Sequence, residues 1–324
     1  MAIGGSSPFI SASAANAPIR MFRVWTSARY TFPLPDGHRF PIAKYALLRE
    51  QVLIDGIVTP DAMREPERAS REALLLAHTA DYVDAFASGT LSERDMRRIG
   101  FPWSPPLVER SLRAVGGTCE AAAAALDDGV SMNLAGGTHH AFADHGEGFC
   151  VFNDVAVAIR ILQRAGRVRR VAIVDLDVHQ GNGTNAIFAG DESVFTFSMH
   201  GDRNYPFHKV PGSLDIELPD GTGDDDYLQR LADVLPVVLS RAQADLVVYL
   251  AGADPHEGDT LGRLRISFAG LARRDALVID QCREVGLPIA ITIAGGYGRN
   301  LDNTVRIHST TARIASEAAL STLI

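Results

Sequence analysis

Residues 171–179 read Val-Ala-Ile-Val-Asp-Leu-Asp-Val-His, an apolar run that stops abruptly in acid and histidine. Four apolar residues in a row, three of them β-branched, suit a short strand buried on both faces. The design recurs three times. Val194-Phe195-Thr196-Phe197 ends in Ser198, residues 246–250 end in Ala251-Gly252-Ala253-Asp254, and residues 289–293 end in Ala294-Gly295-Gly296-Tyr297. Helical patterns over 227–242 and 268–285 separate several of these runs, as in buried parallel strands joined by crossover helices. No repeat or linker divides the chain. The expected fold is one α/β domain over 21–324, a central and mostly parallel sheet flanked by helices, after a flexible Ala- and Ser-rich leader over 1–20. The acidic and aromatic residues collect just beyond the strand C-termini, the edge where open parallel sheets bind ligands.

The N-terminal half is read as helical from about residue 41, where Tyr45, Leu48, Val52 and Leu53 repeat at helical spacing. Further helices are expected over 67–77, 80–87, 108–126 and 153–164. The interval 89–106, with Gly89, Gly100, Pro102, Pro105 and Pro106, is expected to be irregular, and 136–148 to be loop.

The 324 residues carry a net charge of −8, so no basic footprint for nucleic acid is present, and the balance leans toward cationic substrates. No apolar stretch reaches the length of a membrane span. Cys119, Cys150 and Cys282 are odd in number and far apart, which argues against a disulfide framework and for the cytoplasm.

In an extended segment, residues two apart point the same way. Asp177 and His179 can therefore offer a carboxylate and an imidazole to one ion, with Asp254 from another strand as a third ligand. Such a set leaves a position for water, as catalytic zinc requires. Alone, Asp-x-Asp-x-His equally suits a strand cap. The adjacent His139-His140 in a Gly-rich loop could be a surface accident, yet beside an activated water the pair suits general acid–base work. Gly295-Gly296-Tyr297-Gly298 alone reads as a flexible turn, but its glycines can also swing a phenol into a pocket as an oxyanion donor.

Taken in order, Gly-Gly-Thr-His-His (136–140), Gly-Phe-Cys-Val-Phe-Asn-Asp (148–154), Asp-Leu-Asp-Val-His-Gln-Gly-Asn-Gly (175–183), Ala-Gly-Ala-Asp (251–254) and Gly-Gly-Tyr (295–297) resemble the histone deacetylase family. That family lies within the arginase/deacetylase superfamily. His-Gln-Gly-Asn-Gly, with Glu257-Gly258-Asp259 and Leu261-Gly262, is most similar to the class IV branch and its bacterial relatives. The resemblance implies zinc on Asp177, His179 and Asp254, a catalytic pair His139 and His140 with His140 as base, and Tyr297 as transition-state donor. It pairs Asp175 with His139 and Asn182 with His140, and lines a substrate channel with Gly148, Phe149 and Leu261. It also implies a structural K⁺ near Asp175, Asp177, His179, Ser198 and Met199.

The implied activity is zinc-dependent hydrolysis of a linear amide. Substrates would be an acyl-lysine in a protein or peptide, or a small acylated amine such as an acetylpolyamine, with acetyl or longer fatty acyl groups. Many family members have aspartate where this chain has Asn182; the neutral amide should let His140 stay neutral to lower pH. The region 89–106 offers no match to the family's substrate-gripping aspartate. An arginase-type binuclear site would need carboxylates where Gly181 and His256 stand, and a silent binding module would not need the full ligand set and tyrosine. His256 is open to two readings, reaching the metal or substrate or sitting apart at the surface, and the segment 204–214 is read as part of the channel rim.

Overall fold

Residues 22–321 are described in the structure, a computed structural model. The expected leader over 1–20 lies outside the described residues. One sheet organises the chain, with strands β1 (Arg23–Trp25), β2 (Met63–Arg64), β3 (Val130–Asn133), β4 (Val171–Asp175), β5 (Val194–Gly201), β6 (Leu214–Leu218), β7 (Leu246–Ala251) and β8 (Ile289–Ile293). Their order is β2-β1-β3-β8-β7-β4-β5-β6, and every pairing is parallel. The four runs that decided the sequence reading are β4, β5, β7 and β8, and every residue of them is buried. Complete burial of consecutive residues requires cover on both faces, which the helices supply.

Four strands escaped the sequence reading for physical reasons. β1 and β2 are only three and two residues long. β3 reads Val-Ser-Met-Asn, and its polar side chains are absorbed inside, Ser131 donating to the Ala121 carbonyl and Asn133 to that of Ala114. β6 alternates Leu-Asp-Ile-Glu-Leu at the sheet edge, where one flank needs no cover.

Helix boundaries follow their caps. The long helix Pro105–Asp128 starts three residues before its expected position because Ser104 accepts from the Leu107 amide and proline occupies the first turn. The 89–106 stretch is not irregular throughout: helix Glu93–Ile99 runs from a Ser92 cap to Gly100, whose φ of +87° terminates it. The helix expected over 67–77 shrinks to Arg71–Leu74, capped by Ser70, with turns beyond. The helix Leu301–Leu320 lay outside the sequence expectations and packs against Phe268–Glu284 and Lys44–Ile54.

Beneath the active edge, buried Arg274 ties strand ends together. Its Nη1 donates to the Gly252 carbonyl at 2.7 Å and to the Leu176 carbonyl at 3.3 Å, while Asp275 holds its charge. The loops after β4 and β7 therefore share one rigid support.

Candidate active site

The C-terminal ends of β4, β7 and β8 meet in the middle of the sheet, and the sequence candidates converge there. Asp177, His179 and Asp254 are all buried, with one donor atom from each lying within 4.8 Å of the others. His179 Nδ1 is 2.9 Å from Asp177 Oδ1 and 3.2 Å from Asp254 Oδ2. Backbone amides fix the carboxylates: Gly295 donates to Asp177 Oδ2 at 2.6 Å and Val178 to Asp254 Oδ1 at 2.9 Å. Asp254 Oδ2 is buried and makes no well-aligned hydrogen bond, the His179 ring at 3.2 Å being its neighbour. An orphaned buried oxygen beside a second carboxylate and an imidazole is costly unless a cation joins them.

Electrostatics carry the same message. Burial and the neighbouring Asp177 charge push the Asp254 carboxyl up to about 7. Burial opposes charge on His179, yet Asp177 and Asp254 raise it to about 10. Excess negative potential is thus gathered at one point, and the donor set fits a divalent cation of the zinc type.

Close approach shapes this floor. A Cβ on Gly295 would lie 1.7 Å from Asp254 Oδ2 and 2.6 Å from Asp177 Oδ2, so the glycine read as a hinge is also a spacer for the carboxylates.

The adjacent histidines are both buried but held differently. His139 Nδ1 lies 2.7 Å from Asp175 Oδ2, and His140 Nδ1 lies 2.7 Å from Asn182 Oδ1. Burial works against protonating either ring. For His139, Asp175 and Asp177 overcome it and raise the imidazole to about 9. For His140, the charges on His139 and His179 add to burial and depress it far below its ordinary value. The result is one charged and one neutral imidazole, in the sense expected from the amide at position 182. Carboxylates only accept, so Asp175 keeps the proton on Nδ1 of His139. Asn182 is oriented in turn by Glu147, which accepts from its Nδ2 at 2.6 Å. That leaves Asn182 Oδ1 toward His140 and frees the His140 Nε2 lone pair.

A cleft of about 830 Å³ leads down to His140, His179 and Tyr297. Gly148, Phe149 and Leu261 line it. Gly148 has φ +58°, and a Cβ there would stand 2.7 Å from His140 Cδ2. A second, smaller pocket of about 30 Å³ adjoins the foot of the cleft, bordered by both histidines, Asp177, His179 and Tyr297. Burial and the two nearby carboxylates hold the Tyr297 phenol far above its usual range, so it remains a donor. Its backbone amide donates to Asp259 Oδ2 at 2.6 Å, while Asp259 Oδ1 accepts from Leu261 and Gly262. Asp259 thereby joins the tyrosine loop to the channel wall.

Several contributors were not assigned from sequence. Tyr205 stacks edge-on against His140 at 4.9 Å, and Phe207 shares the rim, which places part of the 204–214 segment there. Glu147 also accepts from Arg98 Nε at 2.9 Å. The Gly-Glu-Gly spacing offered no sign that this carboxylate would face inward. Ser198 sits opposite Asp175 in the β4–β5 register, its hydroxyl engaged by His200 Nδ1, and Met199 is buried beside it. His256 stays apart: its Nδ1 accepts from the Gly258 amide and its ring packs on Phe268. Among the described residues, Asp177, His179 and Asp254 form the one cluster with metal-ligand geometry, so the second metal of an arginase-type site has no ligands.

Comparison with known proteins agrees with this geometry. Residues 38–312 match the model of the histone deacetylase domain. The chain is 48% identical over 288 residues to an uncharacterised protein of Picosynechococcus sp., covering 89% of this chain and 96% of that protein. It is 34% identical over 269 residues to histone deacetylase 2 of Arabidopsis thaliana, covering 80% and 70% respectively. In fold it is similar to a histone deacetylase homologue from Aquifex aeolicus, with a TM-score of 0.80 at 24% identity, over 92% of this chain and 84% of that one.

Proposed function

The chain belongs to the histone deacetylase family of hydrolases, and from that premise we propose that it is a zinc-dependent deacylase of acylated lysine or a similar primary amine. The observation that carries the proposal is the orphaned Asp254 oxygen beside Asp177 and His179, at the foot of a cleft that also reaches His140 and Tyr297. Asp177, His179 and Asp254 would hold the ion. When bound, zinc supplies polarisation of the scissile carbonyl and acidification of a water.

The chain's own residues do the rest. His140 lines both the cleft and the smaller pocket at its foot, whereas His139 lines only the latter, which supports His140 as the base for the water proton. Its depressed pKa makes the resulting imidazolium a strong acid, suited to returning that proton to the departing amine. His139 stays charged on Asp175 and keeps the neighbouring ring from holding a proton in the resting state. Tyr297 donates its phenolic hydrogen to the oxyanion.

Acetyl and longer fatty acyl groups both remain within the proposal, and the substrate panel decides between them. A structural monovalent cation beneath Asp175 and a cytoplasmic setting are carried by the resemblance and form the outer part of the proposal.

The test is hydrolysis of acyl-lysine peptides from acetyl to myristoyl, beside acetylated polyamines, with metal content measured on the same protein. Chelator-sensitive turnover is expected. Stoichiometric zinc with no turnover of any substrate would overturn the proposal in favour of a binding role.

A further inference from the structure

The mouth of the cleft carries charge opposite to that of the chain. Five arginines line it, Arg39, Arg97, Arg98, Arg203 and Arg263, contributed by four separate segments, and no Asp or Glu does. The chain as a whole carries a net charge of −8. Chance scatter on an acidic protein would not empty one cleft of carboxylates while gathering guanidinium groups there.

The counter-charges nearby do not cancel this. Arg97 pairs with Glu93 at 3.3 Å, but both side chains are largely exposed, a geometry that binds weakly. Arg98 is engaged by Glu147 below the rim, and Asp220 is shared by Arg263 at 3.3 Å and Arg203 at 4.0 Å. Arg39 makes no ion pair among the described residues. Five guanidinium groups thus face three partner carboxylates, and all three stand outside the cleft wall. Asp36 and Asp202, on the same loops, do not line it either, and Asp259 is taken by three backbone amides.

We propose that this rim binds carboxylates carried by the substrate beside its acylated amine. The inference rests on the deacylase reading of the site. An acyl-lysine fills the narrow part of the channel with its methylenes, so its backbone and flanking residues lie at the mouth. Guanidinium forks there match carboxylates and repel ammonium groups. Acidic settings of an acyl-lysine are therefore preferred, and basic tails and polyamines are disfavoured. The lean toward cationic substrates drawn from net charge is reversed locally, because steering is set by the field at the mouth and not by the sum over the chain.

The experiment uses the zinc-loaded full chain and acetyl-lysine peptides of one length, flanked by Asp/Glu, by Gln/Ser or by Lys/Arg. Free Nε-acetyl-lysine serves as a small-molecule carboxylate source. Turnover is measured on the native protein, and binding separately by fluorescence anisotropy on the Tyr297→Phe protein. The acidic peptide is expected to exceed the basic one about 10-fold in kcat/KM at low salt, mostly through KM. The ratio should shrink toward unity in molar salt, and fall to within about twofold in an Arg39→Gln, Arg97→Gln double variant. Free Nε-acetyl-lysine matching the acidic peptide would name a small acylamino acid as the carboxylate source; a clear advantage of the peptide would name an acidic protein segment. Equal handling of the three flanks, or preference for the basic one, overturns the inference and leaves the hydrolase intact. Acid-selective binding without turnover of any peptide keeps the inference and sinks the deacylase reading. Absence of charge preference in both measurements also overturns it.

Discussion

The floor and the rim of this cleft are built on different principles. The floor sits on the ends of three central strands, its carboxylates are held by backbone amides, and its side chains are almost entirely buried. The rim is assembled from loops and the end of one short helix, and its arginines are exposed and loosely paired. Buried groups in a fixed frame can set protonation states, because charge there is poorly screened. Exposed groups can set only which molecules arrive and linger. The difference predicts a division of labour: substitutions in the floor act on chemistry by orders of magnitude, and substitutions in the rim act on recognition by small factors.

The strongest way to break that division is to disturb the floor without touching a chemical group. Gly295→Ala puts a methyl where two carboxylate oxygens already stand. Zinc retention and turnover are expected to be lost together, as with Asp254→Ala. Metal analysis on the folded variants decides it; a Gly295→Ala protein with full zinc and full activity would show that the floor is softer than its contacts indicate. Tyr297→Phe comes next. It removes one oxyanion donor and leaves the ligands alone, so kcat should fall about 10²–10³-fold with zinc content unchanged. A smaller loss would move the tyrosine from the chemistry to the wall.

How firmly the wall is fastened can be read from acid. His78 is buried behind the loop that carries Phe149, its Nδ1 directed at the Phe142 carbonyl and its Nε2 accepting from the Asn153 amide. Only the neutral ring serves both partners, and burial lowers its pKa to about 4. The unfolded chain takes up this proton near 6.5 and the folded chain does not. This contribution is therefore intact well above pH 6.5 and falls as pH drops toward 4, by roughly 2 kcal/mol between 7.5 and 5. Urea melts of the native protein and His78→Gln at pH 7.5 and 5 should diverge by that amount. Parallel losses would assign the acid sensitivity to other groups.

Legibility in the sequence divides along the same line. The central strands were readable because burial on both faces forces consecutive apolar residues, and the Asp177–His179 pair because a strand end fixes which neighbours point together. Local spacing singled out Asp177, His179, Asp254, Tyr297 and the two histidines, but each motif alone left a bland reading open, and only their ordered combination assigned roles. Tyr205 and the five arginines reach the cleft, and Glu147 and Asp259 brace it, from loops and one short helix whose paths depend on the assembled fold, and no period marks them. Arg97 and Arg98 lay in a stretch expected to be irregular, where a serine cap and a glycine stop set a short helix. Their joint placement with Arg39, Arg203 and Arg263 exists only in three dimensions.

Glu147 is the residue that belongs to both regions, and it gives the finest test of the comparison. One oxygen accepts from Asn182, which orients His140, and the other accepts from Arg98 at the rim. Glu147→Gln keeps the shape and removes the charge. If the residue serves the floor, the Asn182 amide loses its fixed orientation, and kcat drops about 10-fold with KM nearly constant. The losses from Glu147→Gln and Asn182→Ala should then overlap in the double variant, because both act on one imidazole. If it serves the rim instead, freeing Arg98 changes KM for charged peptides and leaves kcat alone, and the two losses add. The low dielectric around Asn182 favours the first, since the Arg98 side is half exposed and its pairing is screened.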